Sequence, residues 1–126
     1  KWPWYGDSIV MAARGCSAED MAAFCPTWTP EQQALRAEWL HTCHWGAIRI
    51  AFDGFHTDDI HQDIPRIDKP ARLVIAGGAT VVDADDQAEV AELNPAIEQR
   101  TVAGAGHMIP WDDLDGFLAA VMDFTA

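Results

Sequence analysis

The chain has 126 residues, of which 49% are hydrophobic and 22% charged, and its net charge is −12. Length alone suggests one globular domain, and the composition excludes a disordered chain. The acidic balance argues against nucleic acid and anionic membrane as partners and fits a solvated acidic surface.

No signal-peptide pattern and no apolar run of membrane-spanning length occurs. The three cysteines, Cys16, Cys25 and Cys43, form no C-x-x-C pair. Reduced thiols in a cytoplasmic protein fit that odd count better than a disulfide scaffold, although spacing leaves a Cys16–Cys25 bridge open.

In chain order, the first half reads as helical. Ser17 with Asp20 resembles a capping box, and Pro26 closes that short segment. Thr29-Pro30-Glu31-Gln32 is a stronger start, with Thr at the cap, Pro in the first turn and Gln three residues on. Leu35, Trp39, Cys43, Ala47, Ile50 and Ala51 then recur at helical spacing. Gly46 is the expected break in this helix and Gly54 its end, with one more short turn over 58–64 before Pro65. Trp28, Trp39 and Trp45 are expected in the core of this helical region.

The pattern changes at Pro70. Ala71 to Ala76 is a short apolar run stopped by Gly77-Gly78, which suits a strand buried on both faces of a parallel sheet. Residues 83–93 read as a helix stopped by Asn94-Pro95, with Asp83 as its cap and Asp85 and Asp86 in its first turn. Residues 97–103 read as a second strand. Leu114, Phe117, Leu118, Val121 and Met122 mark one face of a last helix. This order is α/β. One strand-helix-strand crossover leaves two open sheet edges, so the chain is expected to need more sheet from an N-terminal segment.

Between the second strand and the last helix lies Gly104-Ala105-Gly106-His107-Met108-Ile109-Pro110. A histidine raised on a strand-to-helix loop can serve as a general base. Flanking glycines would let the backbone turn sharply beneath it. No nucleophile motif accompanies it, since Ser8 and Ser17 are the only serines and neither lies in a G-x-S-x-G turn. His41, His44, His56 and His61, with the aspartates at 58, 59 and 63, match no metal-binding spacing, so no metal site is expected. Gly77-Gly78 is not a phosphate loop, because no Lys-Ser pair follows and no G-x-G-x-x-G occurs.

Three segments together resemble the C-terminal end of the α/β-hydrolase fold: residues 67–78 as its I-x-x-P-x-L-x-I-x-G strand, residues 104–108 as its G-A-G-H loop, and residues 111–124 as its closing helix. The resemblance implies a helical cap over 1–63 and the C-terminal part of the core over 64–126. An N-terminal half, whether a separate or a cleaved chain, would complete the parallel sheet and carry the nucleophile.

It further implies a serine hydrolase acting on an ester, amide, carbamate or lactone of a small, aromatic substrate, without a cofactor. His107 would be the catalytic base. The acid that orients such a histidine often follows the first of these strands, but Thr80 occupies that position. Asp83 is one remaining candidate, and a residue preceding Lys1 is the favoured one. Trp2 and Trp4, in the segment that enters the cap, and Met108 beside the histidine are expected pocket residues, with packing as the plain alternative. Two other activities fit the same fold: a cofactor-free ring-cleaving dioxygenase using the histidine as base, and a non-catalytic small-molecule receptor.

Overall fold

Two helices in the first half begin at Ser17 and Thr29, whose side chains satisfy free N–H groups of the first turn. The computed structural model describes residues 2–124, with side chains from residue 6 onward. It divides into two compact units, Lys1–Asp59 and Ile60–Ala126.

The first unit contains α1 (Trp2–Arg14), α2 (Ala18–Phe24), α3 (Pro30–Thr42) and α4 (Trp45–Gly54). Helix α1 stops at Gly15, whose φ of 84° is open to glycine at little cost. Both expected capping boxes form. The Asp20 amide donates to Ser17 Oγ at 3.1 Å while the Ser17 amide donates to Asp20 Oδ2 at 2.8 Å. The Gln32 and Thr29 amides make the equivalent exchange at 3.3 and 2.8 Å. The Ser17 hydrogen bonds hold the Asp20 carboxyl below its ordinary range.

Met21, Ala37 and Leu40 form the apolar core of this unit, flanked by Met11, Cys16 and Phe24. Burial, with Asp20 nearby, pushes the Cys16 thiol up. Trp28 is buried, as expected. Gln33 Nε2 fastens its loop by donating to the carbonyls of Cys25 at 3.0 Å and Trp28 at 3.1 Å. None of the three cysteines is in a disulfide.

Two expectations need correcting here. The long helix breaks at Cys43–His44, where Cys43 turns extended with ψ 132°, and Gly46 falls in the first turn of α4. Trp39 and Trp45 are 41% and 50% exposed rather than in the core. For Trp39 the reason is rotational: Ala37 and Leu40 face inward, and Trp39 lies about 200° around α3 from Ala37.

The second unit opens with a 3-10 turn at Ile64–Arg66, which takes in Pro65 instead of stopping before it. It continues with β1 (Arg72–Ala76), α5 (Ala84–Leu93), β2 (Glu98–Val102), α6 (Ile109–Asp112) and α7 (Leu114–Val121). The strands pair in parallel, from Arg72 opposite Glu98 to Ala76 opposite Val102. Among the described residues the sheet has these two strands, so β1 has a partner on one edge. Ile75 is buried and the rest of β1 half-buried, less than a strand covered on both faces would show. Val102, Ala105 and Ile109 make the core, packed by Val74, Ala76, Phe117 and Ala120.

Two polar devices close this unit. Asn94, read above only as a helix stop, is buried. Its amide donates to the Ile64 and Ile67 carbonyls at 3.0 and 3.1 Å and accepts from the Ala96 N–H at 3.1 Å. The Arg72 side chain is 5% exposed and binds Glu98, its cross-strand neighbour, together with Asp123. It also donates to the Ala120 carbonyl at 2.8 Å, and its guanidinium carbon lies 4.8 Å from the Phe124 ring centroid. Asp123 and Glu98 raise the Arg72 guanidinium further, and the Arg72 hydrogen bond holds the Asp123 carboxyl down. No described helix is long and apolar enough to cross a membrane.

Candidate functional site

Because β1 and β2 are parallel, the segments leaving their C-terminal ends emerge at the same edge, the usual place for sites in α/β sheets. The turn after β1 spans 77–83 and ends in Asp83, the N-cap of α5. Asp83 Oδ1 accepts from the amides of Asp85 at 2.9 Å and Asp86 at 3.1 Å, so this carboxylate is engaged by the helix start. Thr80 is exposed in the same turn.

The loop after β2 carries His107. Its two sides are pinned: Ala105 is 0% exposed, and Ile109, the first residue of α6, is buried. His107 and Met108 between them are exposed. The Trp111 and Asp112 amides donate to the Met108 carbonyl at 2.8 and 3.0 Å, so a short helix begins immediately after the histidine. Helix α6 has four residues with Pro110 in its first turn, and the apolar pattern of the sequence was too short to reveal it. Among the described residues the His107 imidazole has no hydrogen-bond partner, which leaves both ring nitrogens open to a substrate or a protein group.

The glycines of this loop act differently from the expectation. Neither Gly104 nor Gly106 takes a positive φ. A Cβ on Gly104 would meet open space, whereas one on Gly106 would lie 2.9 Å from the Asp112 carboxylate. Gly106 therefore makes room for Asp112, a residue the sequence did not single out.

The other sequence-level candidates do not converge on this loop. Ser17 is the cap of α2, and Ser8 is buried on α1. His41 Nε2 lies 3.2 Å from the Cys16 amide nitrogen, His44 stacks on Trp45, His56 meets Phe52 edge-on, and His61 pairs with Glu89 at 3.5 Å. Among the described residues no group of three or more His, Cys, Asp or Glu could hold a metal ion. Trp2 and Trp4 belong to α1, but their side chains lie outside the described residues. A concave volume of about 400 Å³ lies between β2 and α7, lined by Thr101, Ala103, Gly116 and Ala119 among others, and His107 does not border it.

No protein-family profile matches the chain. A curated relative, N-formylmaleamate deformylase from Pseudomonas putida, is 58% identical over 124 residues, which is 98% of this chain and 46% of the relative. The crystal structure of a serine-to-alanine variant of N-formylmaleamic acid deformylase from Pseudomonas putida S16 superimposes with a TM-score of 0.84 at 57% identity, covering 96% of this chain and 48% of that one. E-2-(acetamidomethylene)succinate hydrolase superimposes with a TM-score of 0.77 at 18% identity, covering 95% of this chain and 52% of that one. The chain spans about half the length of the relatives it matches. Its strands and helices are those of about half of an α/β-hydrolase-fold protein, as the three sequence segments implied.

Proposed function

We propose that this chain is the base-bearing half of an α/β-hydrolase-fold amide hydrolase, and that the reaction is removal of a formyl group from a small N-formyl amide. The observation that carries this reading is the 58% identity, over 98% of the chain, with an N-formylmaleamate deformylase. The amide is favoured over the ester, carbamate and lactone because the relatives at 58% and 57% identity are named as deformylases of an N-formyl amide. N-formylmaleamate itself is the first substrate to test.

In this reading His107 Nε2 or Nδ1 takes the proton of a serine hydroxyl supplied by the half of the relatives' length that this chain does not span. The serine oxygen bonds to the formyl carbon, and the carbonyl electron pair moves onto its oxygen. When that pair returns, the C–N bond breaks and the nitrogen takes the proton from His107. Water then adds to the formyl ester, again losing a proton to His107. Formate leaves as the serine regains its hydrogen. The crystallised serine-to-alanine relative fits a serine with this role. So does the exposure of His107 between two buried anchors, since a base must reach both nucleophile and leaving group.

The acid that orients the imidazole is assigned to the other half as well. Thr80 cannot carry the charge, and Asp83 is engaged by α5. Residues 1–63 are read as the helical cap and 64–126 as the C-terminal part of the core. Trp2, Trp4 and Met108 remain the proposed pocket residues. Three cysteines outside disulfides fit a cytoplasmic setting.

The test is formate release by the full-length protein, meaning this chain together with the half its relatives have. Wild-type protein should release one formate per N-formylmaleamate consumed, without oxygen uptake. His107→Ala should lower kcat by about 10³-fold or more, because the general base is lost while the fold stays. Oxygen uptake coupled to turnover would point instead to ring-cleaving chemistry. Full activity of His107→Ala would remove the histidine from the mechanism.

A further inference from the structure

The turn Gly77-Gly78 has no assigned task in the reading above. Its position is nonetheless unusual, because it lies backbone against backbone on the loop that carries His107. The Gly77 amide donates to the Val102 carbonyl at 2.9 Å, and the Gly78 amide donates to the Ala105 carbonyl at 2.8 Å. A Cβ on Gly77 would stand 2.8 Å from both Cα and the carbonyl oxygen of Ala103. A Cβ on Gly78 would stand 2.9 Å from the carbonyl oxygen of Ala105. These distances are below ordinary van der Waals contact, and the atoms met are main chain. No side-chain rotation can relieve them.

We propose that Gly77 and Gly78 are positioning residues that set where His107 stands. The inference rests on His107 being the base. The physical argument is that a base delivers its rate only within a few tenths of an ångström of its productive geometry, so its loop must be held from below. Ala105, two residues before the histidine, is wholly buried, and its carbonyl is held by Gly78. Ile109, two residues after it, is buried in the same core. The Asp112 carboxylate lies against Gly106. The exposed pair His107-Met108 therefore stands on a frame that the glycine turn supports, main chain to main chain, from the end of the neighbouring strand. A side chain at Gly77 would meet the main chain of Ala103 and one at Gly78 that of Ala105, so the turn and the loop must part and the seat beneath His107 changes.

The loop contains its own control. A Cβ on Gly104 meets nothing within 4 Å, so Gly104→Ala tests glycine loss without displacement. In the full-length protein with N-formylmaleamate, Gly78→Ala should lower kcat by about 10- to 100-fold with KM within about threefold, the cost of displacing a reacting group. Gly104→Ala should stay within about twofold of wild type. Equal, near-wild-type kcat for Gly78→Ala and Gly104→Ala would overturn the inference, as would a Gly78→Ala defect confined to KM.

His107→Ala measured alongside separates the two levels. If His107→Ala is fully active, the reading of the base fails. If it is inactive while Gly78→Ala is normal, only the positioning role fails. Should Gly78→Ala not fold, amide exchange in the wild-type protein decides: slow exchange at Gly77 and Gly78 supports the frame, and exchange at free-peptide rates overturns it.

Discussion

In the helical unit, Met21, Ala37 and Leu40 meet in a small apolar core, and the capping boxes at Ser17 and Thr29 secure the helix starts. In the strand-bearing unit, a core around Val102, Ala105 and Ile109 is joined by a buried asparagine and a buried arginine. The difference follows from what each unit must hold. Helices satisfy most of their own main chain, so side-chain packing does most of the joining, with Gln33 fastening one loop. A two-stranded parallel sheet has long connections, and Asn94 ties α5 to the 3-10 turn while Arg72 ties β1 to the end of the chain. The unit with the stricter polar ties is also the one that presents His107.

That contrast can be broken or sharpened by substitution in the full-length protein, read by hydrogen exchange resolved along the chain. The largest effect is expected from Leu40→Ala. Leu40 is 2% exposed, and the cavity should cost about 2–5 kcal/mol. Faster exchange should appear over residues 6–59; faster exchange confined to 60–124 would contradict a core-held helical unit.

Asn94→Ala comes next, at about 1–3 kcal/mol, since it strands the Ile64 and Ile67 carbonyls that the amide now satisfies. Its exchange signature belongs to residues 60–124. An unchanged pattern there would show that the asparagine ties are dispensable.

Asp83→Ala removes a helix cap and should cost about 1 kcal/mol, with fraying limited to the first turn of α5. Activity should be nearly untouched, because the engaged carboxylate is not needed by His107. Loss of kcat on the scale of His107→Ala would instead make Asp83 the missing acid.

The smallest effect is expected from Asp123→Asn. Arg72 holds the Asp123 carboxyl below the ordinary value of about 3.9, so the stability it contributes is present above that pH. It is lost as pH falls through the lower folded value. In a series of melting temperatures from neutral to acid, Asp123→Asn should sit slightly below wild type at neutral pH and converge with it in acid. Asp123 is largely exposed, so added salt should narrow the gap. A gap that widens in acid would contradict the pairing.

Local signals proved the most legible part of the molecule. The caps at Ser17, Thr29 and Asp83, the strand at 72–76 and the stop at Asn94 are short-range chemistry, readable because the residues that make them lie within four positions of each other. Burial was less legible. Trp39 had the right spacing for a helix, but spacing does not say which stripe of α3 turns inward. Within the candidate site, His107 could be singled out from its glycine-flanked loop. Asp112, the four-residue α6 and the double use of Gly77-Gly78 could not, because each depends on a neighbour brought in by the fold.

The amino-acid order by itself determined the starts of α2, α3 and α5, the two strands, the α/β order and a histidine on a strand-to-helix loop. Capping, periodicity and glycine flanks act over one or two turns of chain, so they survive reading without coordinates. Tertiary structure alone decided that Arg72 reaches Asp123, that Asn94 gathers two distant carbonyls, and that Gly78 supports Ala105 beneath His107. Those contacts join residues 27 to 51 positions apart, and parallel strand pairing is what brings them together.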